Sequence, residues 1–224
     1  MNRSVLFDTE TTGLNPLNGD RVIEIAAIEL HNDLPTGEVF HTLIDPERDI
    51  PSDASRIHGI TSTDIAGKPN FAAIATDLLN FLGDSPLVAH NATFDFGFLD
   101  AEFARIARPA LDRSRMIDTL ALAKARFPGM PNSLDALCRR FDIDLSARTT
   151  HNALLDCKLL AEVYVELTGG RQRGFDLDAG AAELAMVEYR HDAARTPRPM
   201  TVHPAEAEAH AAFVAAMKEP VWNR

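Results

Sequence analysis

The apolar positions of this chain change their spacing near residue 70. Before it they fall in short runs: Val5-Leu6-Phe7, the β-branched stretch Val22 to Leu30, and Val39 to Ile44. Runs of this length, bounded by polar segments, predict strands. Asn32-Asp33-Leu34-Pro35-Thr36-Gly37 has turn chemistry, so the start reads as an antiparallel meander. From Phe71 the spacing becomes helical, through Ile74, Leu78, Leu79 and Leu82. Leu87-Val88-Ala89 then predicts a strand, Phe98 to Ile106 a helix, Met116-Ile117 a short strand and Leu120 to Phe127 a helix. Asn132-Ser133 offers an N-cap ahead of Leu134 and Leu137. Asn152 to Thr168 is a long amphipathic helix that Gly169-Gly170 stops.

A meander followed by alternating helix and strand makes residues 1–170 an α/β domain, a mixed sheet with helices on its faces. Beyond Gly170 the pattern lapses. Residues 171–204 hold Gly174, Gly180, Pro197 and Pro199 among mixed charges and read as a flexible linker, with one helix around Ala181 to Tyr189. Residues 205–224 form a terminal segment. It has a helix over Ala205 to Met217 and, near its end, the only tryptophan, Trp222.

Charge narrows the chemistry. The net charge is −11; residues 171–224 hold 7 Lys/Arg and 8 Asp/Glu, and the remaining 15 and 25 give residues 1–170 a net of −10. So acidic a body cannot coat itself with nucleic acid by counterion release. If it acts on nucleic acid it grips a short end, metal ions offset the repulsion, and lasting attachment comes from a partner. No apolar run approaches a membrane span, and the first residues reach Asp8 too soon for a secretory signal. Cys138 and Cys157 both fall in helical stretches, which argues against a disulfide framework and for a reducing cytoplasm.

Several acids stand among apolar residues, where an isolated carboxylate is costly. Asp8 and Glu10 are two apart on a strand and share a face with Leu6. They suit a divalent cation better than a core, or one of them caps the next turn. Asp156 shares a helical stripe with Leu160, Val163 and Leu167; it serves a cation, or pairs with an arginine such as Arg139 or Arg140. Asp95, in a first helical turn among Phe94, Phe96 and Phe98, could simply complement the helix dipole. His151 near a helix start, and His58 and His90, are ambiguous singly, and Asp53 reads as a loop acid. Arg139, Arg140 and Arg148 could touch phosphates, but a solvated face is the simpler reading.

Taken together, three stretches resemble the motifs of DEDD-type 3′–5′ exonucleases in their histidine variant. They are Phe7-Asp8-Thr9-Glu10-Thr11-Thr12-Gly13-Leu14, His90-Asn91-Ala92-Thr93-Phe94-Asp95, and His151 with Asp156. Further matches resemble the epsilon-type proofreading branch of that family, which serves bacterial DNA polymerase III. These are Ile57-His58-Gly59-Ile60-Thr61, Phe127-Pro128-Gly129, Asn132-Ser133-Leu134-Asp135-Ala136-Leu137-Cys138, and Leu160-Ala161-Glu162-Val163-Tyr164 through Gly170.

The resemblance implies a ribonuclease H-like fold: a mixed five-stranded sheet flanked by helices, with a flexible C-terminal tail. It implies removal of mispaired 3′-terminal nucleotides as 5′-monophosphates by two-metal hydrolysis. Asp8, Glu10 and Asp156 would ligate two divalent cations, Mg²⁺ or Mn²⁺, with Asp8 bridging both. Asp95 would complete the acidic set, and His151 would be the general base. Asp53 and His58, with Asp8, Glu10 and Asp156, would meet the terminal nucleotide of a single-stranded or frayed DNA 3′ end. The tail, with Trp222, resembles the segment that docks on the polymerase alpha subunit. Gln172-Arg173-Gly174-Phe175-Asp176-Leu177 resembles a sliding-clamp-binding peptide through Gln172, Phe175 and Leu177.

Two alternatives remain. A family member that trims RNA ends, as oligoribonuclease or ribonuclease T does, is disfavoured by the long tail. A non-catalytic adaptor is disfavoured by the intact acids and His151.

Overall fold

The computed structural model describes residues 3–148, 150–169 and 201–218. Gln172, Phe175, Leu177 and Trp222, the expected helix around Ala181 to Tyr189 and most of the linker lie outside those residues. The chain divides into two units, whose described parts are 3–169 and 201–218.

The first unit is built on five strands: β1 (Arg3–Thr11), β2 (Val22–His31), β3 (Leu34–Leu43), β4 (Leu87–Ala89) and β5 (Met116–Asp118). Their order across the sheet is β3-β2-β1-β4-β5. β1 pairs antiparallel with β2 and parallel with β4, so the meander and the helix-linked half of the sequence meet on the two edges of one central strand. Among this unit's described residues are seven α-helices: α1 (Ser52–His58), α2 (Ser62–Ile65), α3 (Phe71–Leu82), α4 (Ala92–Arg105), α5 (Thr119–Arg126), α6 (Leu134–Arg140) and α7 (Ala153–Leu167). The described part of the second unit contains α8 (Pro204–Ala215), close to the helix expected over Ala205 to Met217. No helix of the described residues is long and apolar enough to cross a membrane.

Alternation along β1 divides the interior in two. Val5 and Phe7 face α3 and α4, joining Leu78, Leu82, Phe96 and Phe103. Leu6 faces the other way, joining Ala26 and Val88 beneath α6 and α7 with Leu137, Cys157 and Leu160. Cys138 and Cys157 are both buried and free. Glu102 of α4, only 2% exposed, grips the Arg21 guanidinium at 2.7 and 2.9 Å and takes the Val22 amide at 3.2 Å. A buried carboxylate so fully satisfied locks α4 to the start of β2.

Several expectations are corrected. The turn after β2 is only Asn32-Asp33, both at positive φ, the geometry of a tight hairpin. β3 therefore starts at Leu34, five residues before the expected Val39, and Pro35 sits inside it. Pro35 is tolerated because β3 is an edge strand. α1 and α2 were not expected. α1 buries only Ala54 and His58 and so shows no apolar stripe, while α2 is one turn held by a Thr61–Asp64 capping box. α4 starts at Ala92 rather than Phe98, and the alternating Phe94, Phe96 and Phe98 hide its helical period. At α6 the cap is Ser133, which accepts from the Ala136 amide.

Candidate active site

The site is assembled where β1 outruns its parallel neighbour. β1 and β4 pair only at Val5–Leu87 and Leu6–Val88. Beyond that point the Thr9 amide has no strand partner on this edge, and a buried N–H requires one. Asp95 in the first turn of α4 supplies it. One carboxylate oxygen accepts from Thr9 N at 3.1 Å and from Thr9 Oγ1 at 2.7 Å, and Asp95 is 3% exposed. The sequence left Asp95 open to a dipole reading; its contacts aim it at the strand end.

On the opposite face of β1, Asp8 and Glu10 continue the row that starts with Leu6 and meet α7. Asn152 caps that helix by accepting from the Leu155 amide, and Asp156 follows in its first turn, 4% exposed. Ligand atoms of Glu10, His151 and Asp156 lie within 4.8 Å of one another. Asp8, His90, Asp135, Arg148, His151 and Asp156 line a cleft of about 370 Å³. The structure thus gathers Asp8, Glu10, Asp156 and His151 in one place, with Asp95 against the same strand end.

Such crowding is electrostatically unfavourable and shows in the acid strengths. Burial first, then the charges of Asp95, Glu10, Asp156 and Glu24, push the Asp8 carboxyl well above the ordinary range. Burial and the same neighbours push Glu10 up to about 8. Burial raises Asp95 to about 7 despite its bonds from Thr9. Raised carboxyls bind protons in the folded state that the unfolded state has released, so folding loses stability as pH rises. The metal-free chain is therefore expected to be most stable near the unfolded carboxylate pKa, about 4, as far as these groups decide. Its thermal midpoint should fall between there and about pH 8. Melting in chelator across that range checks this, and a midpoint that rises steadily to pH 8 contradicts it.

Three participants were not singled out as chemistry by the sequence. Glu24 lies directly opposite Glu10 in the β1–β2 register, where like charges repel. It is 1% exposed and fully engaged, with His41 Nε2 at 2.7 Å, Asn152 Nδ2 at 3.0 Å and the Ala153 amide at 3.1 Å. It therefore ties β2 to the start of α7. Its signal was available, a lone charge in Val22-Ile23-Glu24-Ile25-Ala26. Arg148 was assigned to a solvated face, and this is corrected. Its side chain is 9% exposed and grips Asp156 through two bonds of 2.6 Å. Asp156 thus does pair with an arginine, but with Arg148, not Arg139 or Arg140. The third is Asp135 on α6, which takes another nitrogen of Arg148.

His58 is buried at the end of α1. Its Nδ1 accepts from the Ile60 amide at 3.0 Å, and burial lowers its pKa. Nε2 has no hydrogen-bond partner among the described residues. Gly59 turns the chain at φ +77° with Thr150 packed against it, and Ile57 O accepts from the His151 amide at 3.2 Å. This places His58 on a neighbouring cleft with Glu24, His41 and Asn152. Asp53 is exposed on α1, is paired with Arg56, and lines neither cleft. Gly13 in the first motif also has a steric reason: a Cβ there would lie 2.3 Å from Asp20 Oδ2.

Residues 5–164 match the exonuclease family model known as RNase_T. Over 178 residues the chain is 52% identical to the protein named DNA polymerase III subunit epsilon of Rickettsia felis, covering 78% of each. Among solved structures it is similar to exonuclease X in complex with 5′ overhanging duplex DNA. That match has a TM-score of 0.57 and 28% identity, covering 75% of this chain and 91% of the other. The nuclease domain of 3′hExo, a DEDDh family member bound to rAMP, shares the fold with a TM-score of 0.63 at 16% identity, covering 77% of this chain and 95% of the other.

Proposed function

The chain belongs to the exonuclease family, among the DNA polymerase III epsilon subunits, and from that premise we propose how its residues perform proofreading. As a member it is a metal-dependent exonuclease that works with the replicative polymerase. We assign it removal of mispaired 3′-terminal nucleotides as 5′-monophosphates. The observation that supports this most is that Asp8, Asp156 and His151 line one cleft and that Glu10 brings a ligand atom within 4.8 Å of the last two.

The donors fit hard divalent cations: carboxylate oxygens suit Mg²⁺ or Mn²⁺, and the acids already hold one cationic group, Arg148. Asp8, Glu10 and Asp156 would hold two such ions, with Asp95 completing the set. Bound there, the ions would neutralise the phosphate and make the attacking water more acidic. His151, half exposed beside Asp156, takes the water's proton as general base. His58 meets the terminal nucleotide, and its unpartnered Nε2 supports that role; Asp53, which lines neither cleft, is assigned the same contact on the sequence resemblance alone. A mispaired end has already lost its pairing, so it reaches the cleft at lower cost than a paired one.

We further assign residues 1–170 to the exonuclease domain, 171–204 to a linker and 205–224 to docking on the polymerase alpha subunit, with Trp222 as an aromatic anchor. Gln172, Phe175 and Leu177 are assigned to the sliding clamp. What supports these assignments is the sequence pattern, together with the helix α8 at the expected place.

One assay tests the set. Mg²⁺-dependent digestion of a primer with a mispaired 3′ end is compared with a paired end and an RNA oligomer, with and without the polymerase subunit. Mispaired DNA should be digested fastest. Deleting residues 206–224 should spare nuclease activity and abolish co-purification with the alpha subunit. Preferred digestion of RNA would refute the DNA assignment, and undiminished co-purification would refute the docking role.

A further inference from the structure

Arg148 sits where the proposed chemistry needs a metal. Its Nε and Nη2 donate to the two oxygens of Asp156, both at 2.6 Å, and Nη2 also lies 2.9 Å from His151 Nδ1. Its remaining terminal nitrogen, Nη1, donates to Asp135. His151 Nδ1 also stands 3.3 Å from Asp156 Oδ2, so guanidinium, carboxylate and imidazole close on one another.

The same geometry opposes cation binding at Asp156. The fork of Arg148 takes both carboxylate oxygens, the two-bond arrangement that makes such pairs strong. A divalent cation at those oxygens would stand against the guanidinium's positive charge, so the two compete for Asp156. Asp135 offers the way out. It is 40% exposed against 6% for Asp156, it has Arg139 at 3.9 Å as well, and it already holds Nη1. Release of Asp156 therefore leaves Arg148 tethered at the cleft rim.

Resting on the metal-site reading above, we infer that Arg148 is an internal counter-cation: it holds Asp156 and His151 in a resting arrangement until a divalent cation displaces it. Arg148 acts through these two residues and is a positioning residue. In the metal-free chain it offsets the crowded acids; with metal bound it swings to Asp135, where its free donors face the cleft in which the phosphate would lie.

The test uses the full chain and Mn²⁺ alone, without DNA. Mn²⁺ affinity is measured by titration calorimetry, and thermal midpoints are measured in chelator and in saturating Mn²⁺. For Arg148→Gln the metal-free midpoint should fall by several degrees while Mn²⁺ binds about tenfold more tightly. A merely structural arginine would weaken binding or leave it alone. Arg148→Lys keeps the charge without the fork and should give an intermediate gain of about threefold. It also serves as the readout if the glutamine variant does not fold without metal. Unchanged or weaker Mn²⁺ binding in folded variants overturns the role of Arg148 and leaves the metal site standing. Mn²⁺ binding that survives Asp156→Asn overturns both.

Discussion

Asp8→Asn is expected to yield a folded chain that digests no DNA. Asp8 lies on the central strand, and its carboxyl is pushed up by burial and by four other acids. An amide keeps the shape but removes the charge that would hold a cation and replaces one acceptor oxygen by a donor. Several kcal/mol of charge stabilisation is at stake in metal-assisted hydrolysis, which corresponds to about a thousandfold or more in rate. Stability should move the other way. Asp8 costs the fold most where it is ionised, so the variant's metal-free midpoint should exceed wild type by a few degrees at alkaline pH. The two should converge at about pH 4 and below, where Asp8 is protonated in the folded and the unfolded chain alike. Gel assays of 3′-end digestion and melting in chelator at the two pH values check this. Retained metal-dependent digestion would remove Asp8 from the site.

The second large effect concerns His151. His151→Ala should cut turnover by about a hundredfold or more, the usual contribution of a positioned general base, with Mn²⁺ affinity kept within a few-fold. The distinction matters because His151 stands in the same cluster of donor atoms as Glu10 and Asp156. A ligand and a base are both consistent with that cluster, and they differ in readout. Loss of Mn²⁺ binding alongside turnover would make His151 a ligand. Wild-type turnover at neutral pH would give it neither role.

The sequence disclosed those parts of the site that depend on local periodicity. Asp8 and Glu10 were legible because strand alternation forces them onto one face with Leu6. Asp156 was legible because helical spacing turns it inward with Leu160 and Val163. Asp95 and His151 carried no such signal. What orients Asp95 is the Thr9 amide, left without a partner where β4 stops, and the length of β4 is not written near either residue. Arg148 was misplaced for a related reason. It sits between α6 and α7, where no period applies, and its partners are 8 and 13 residues away on two different helices. The fold shows the same divide. The long β2 and α7 announced themselves, while α1, which joins His58 to the His151 segment, is too short and too polar to be visible in a pattern of apolar residues.

The central place of β1 has a consequence for how the protein is made. Its parallel partner β4 and the helix α7 are both synthesised long after it, and Glu24 waits on β2 for the amide of Ala153. On the proposed assignments, a nascent chain halted anywhere before residue 156 carries acids but no complete cutting centre. Domains commonly fold as units during synthesis, and here the last piece to emerge is the one that closes the site. The capacity to degrade DNA therefore arrives only with a finished exonuclease body, so truncated translation products should be harmless to the genome.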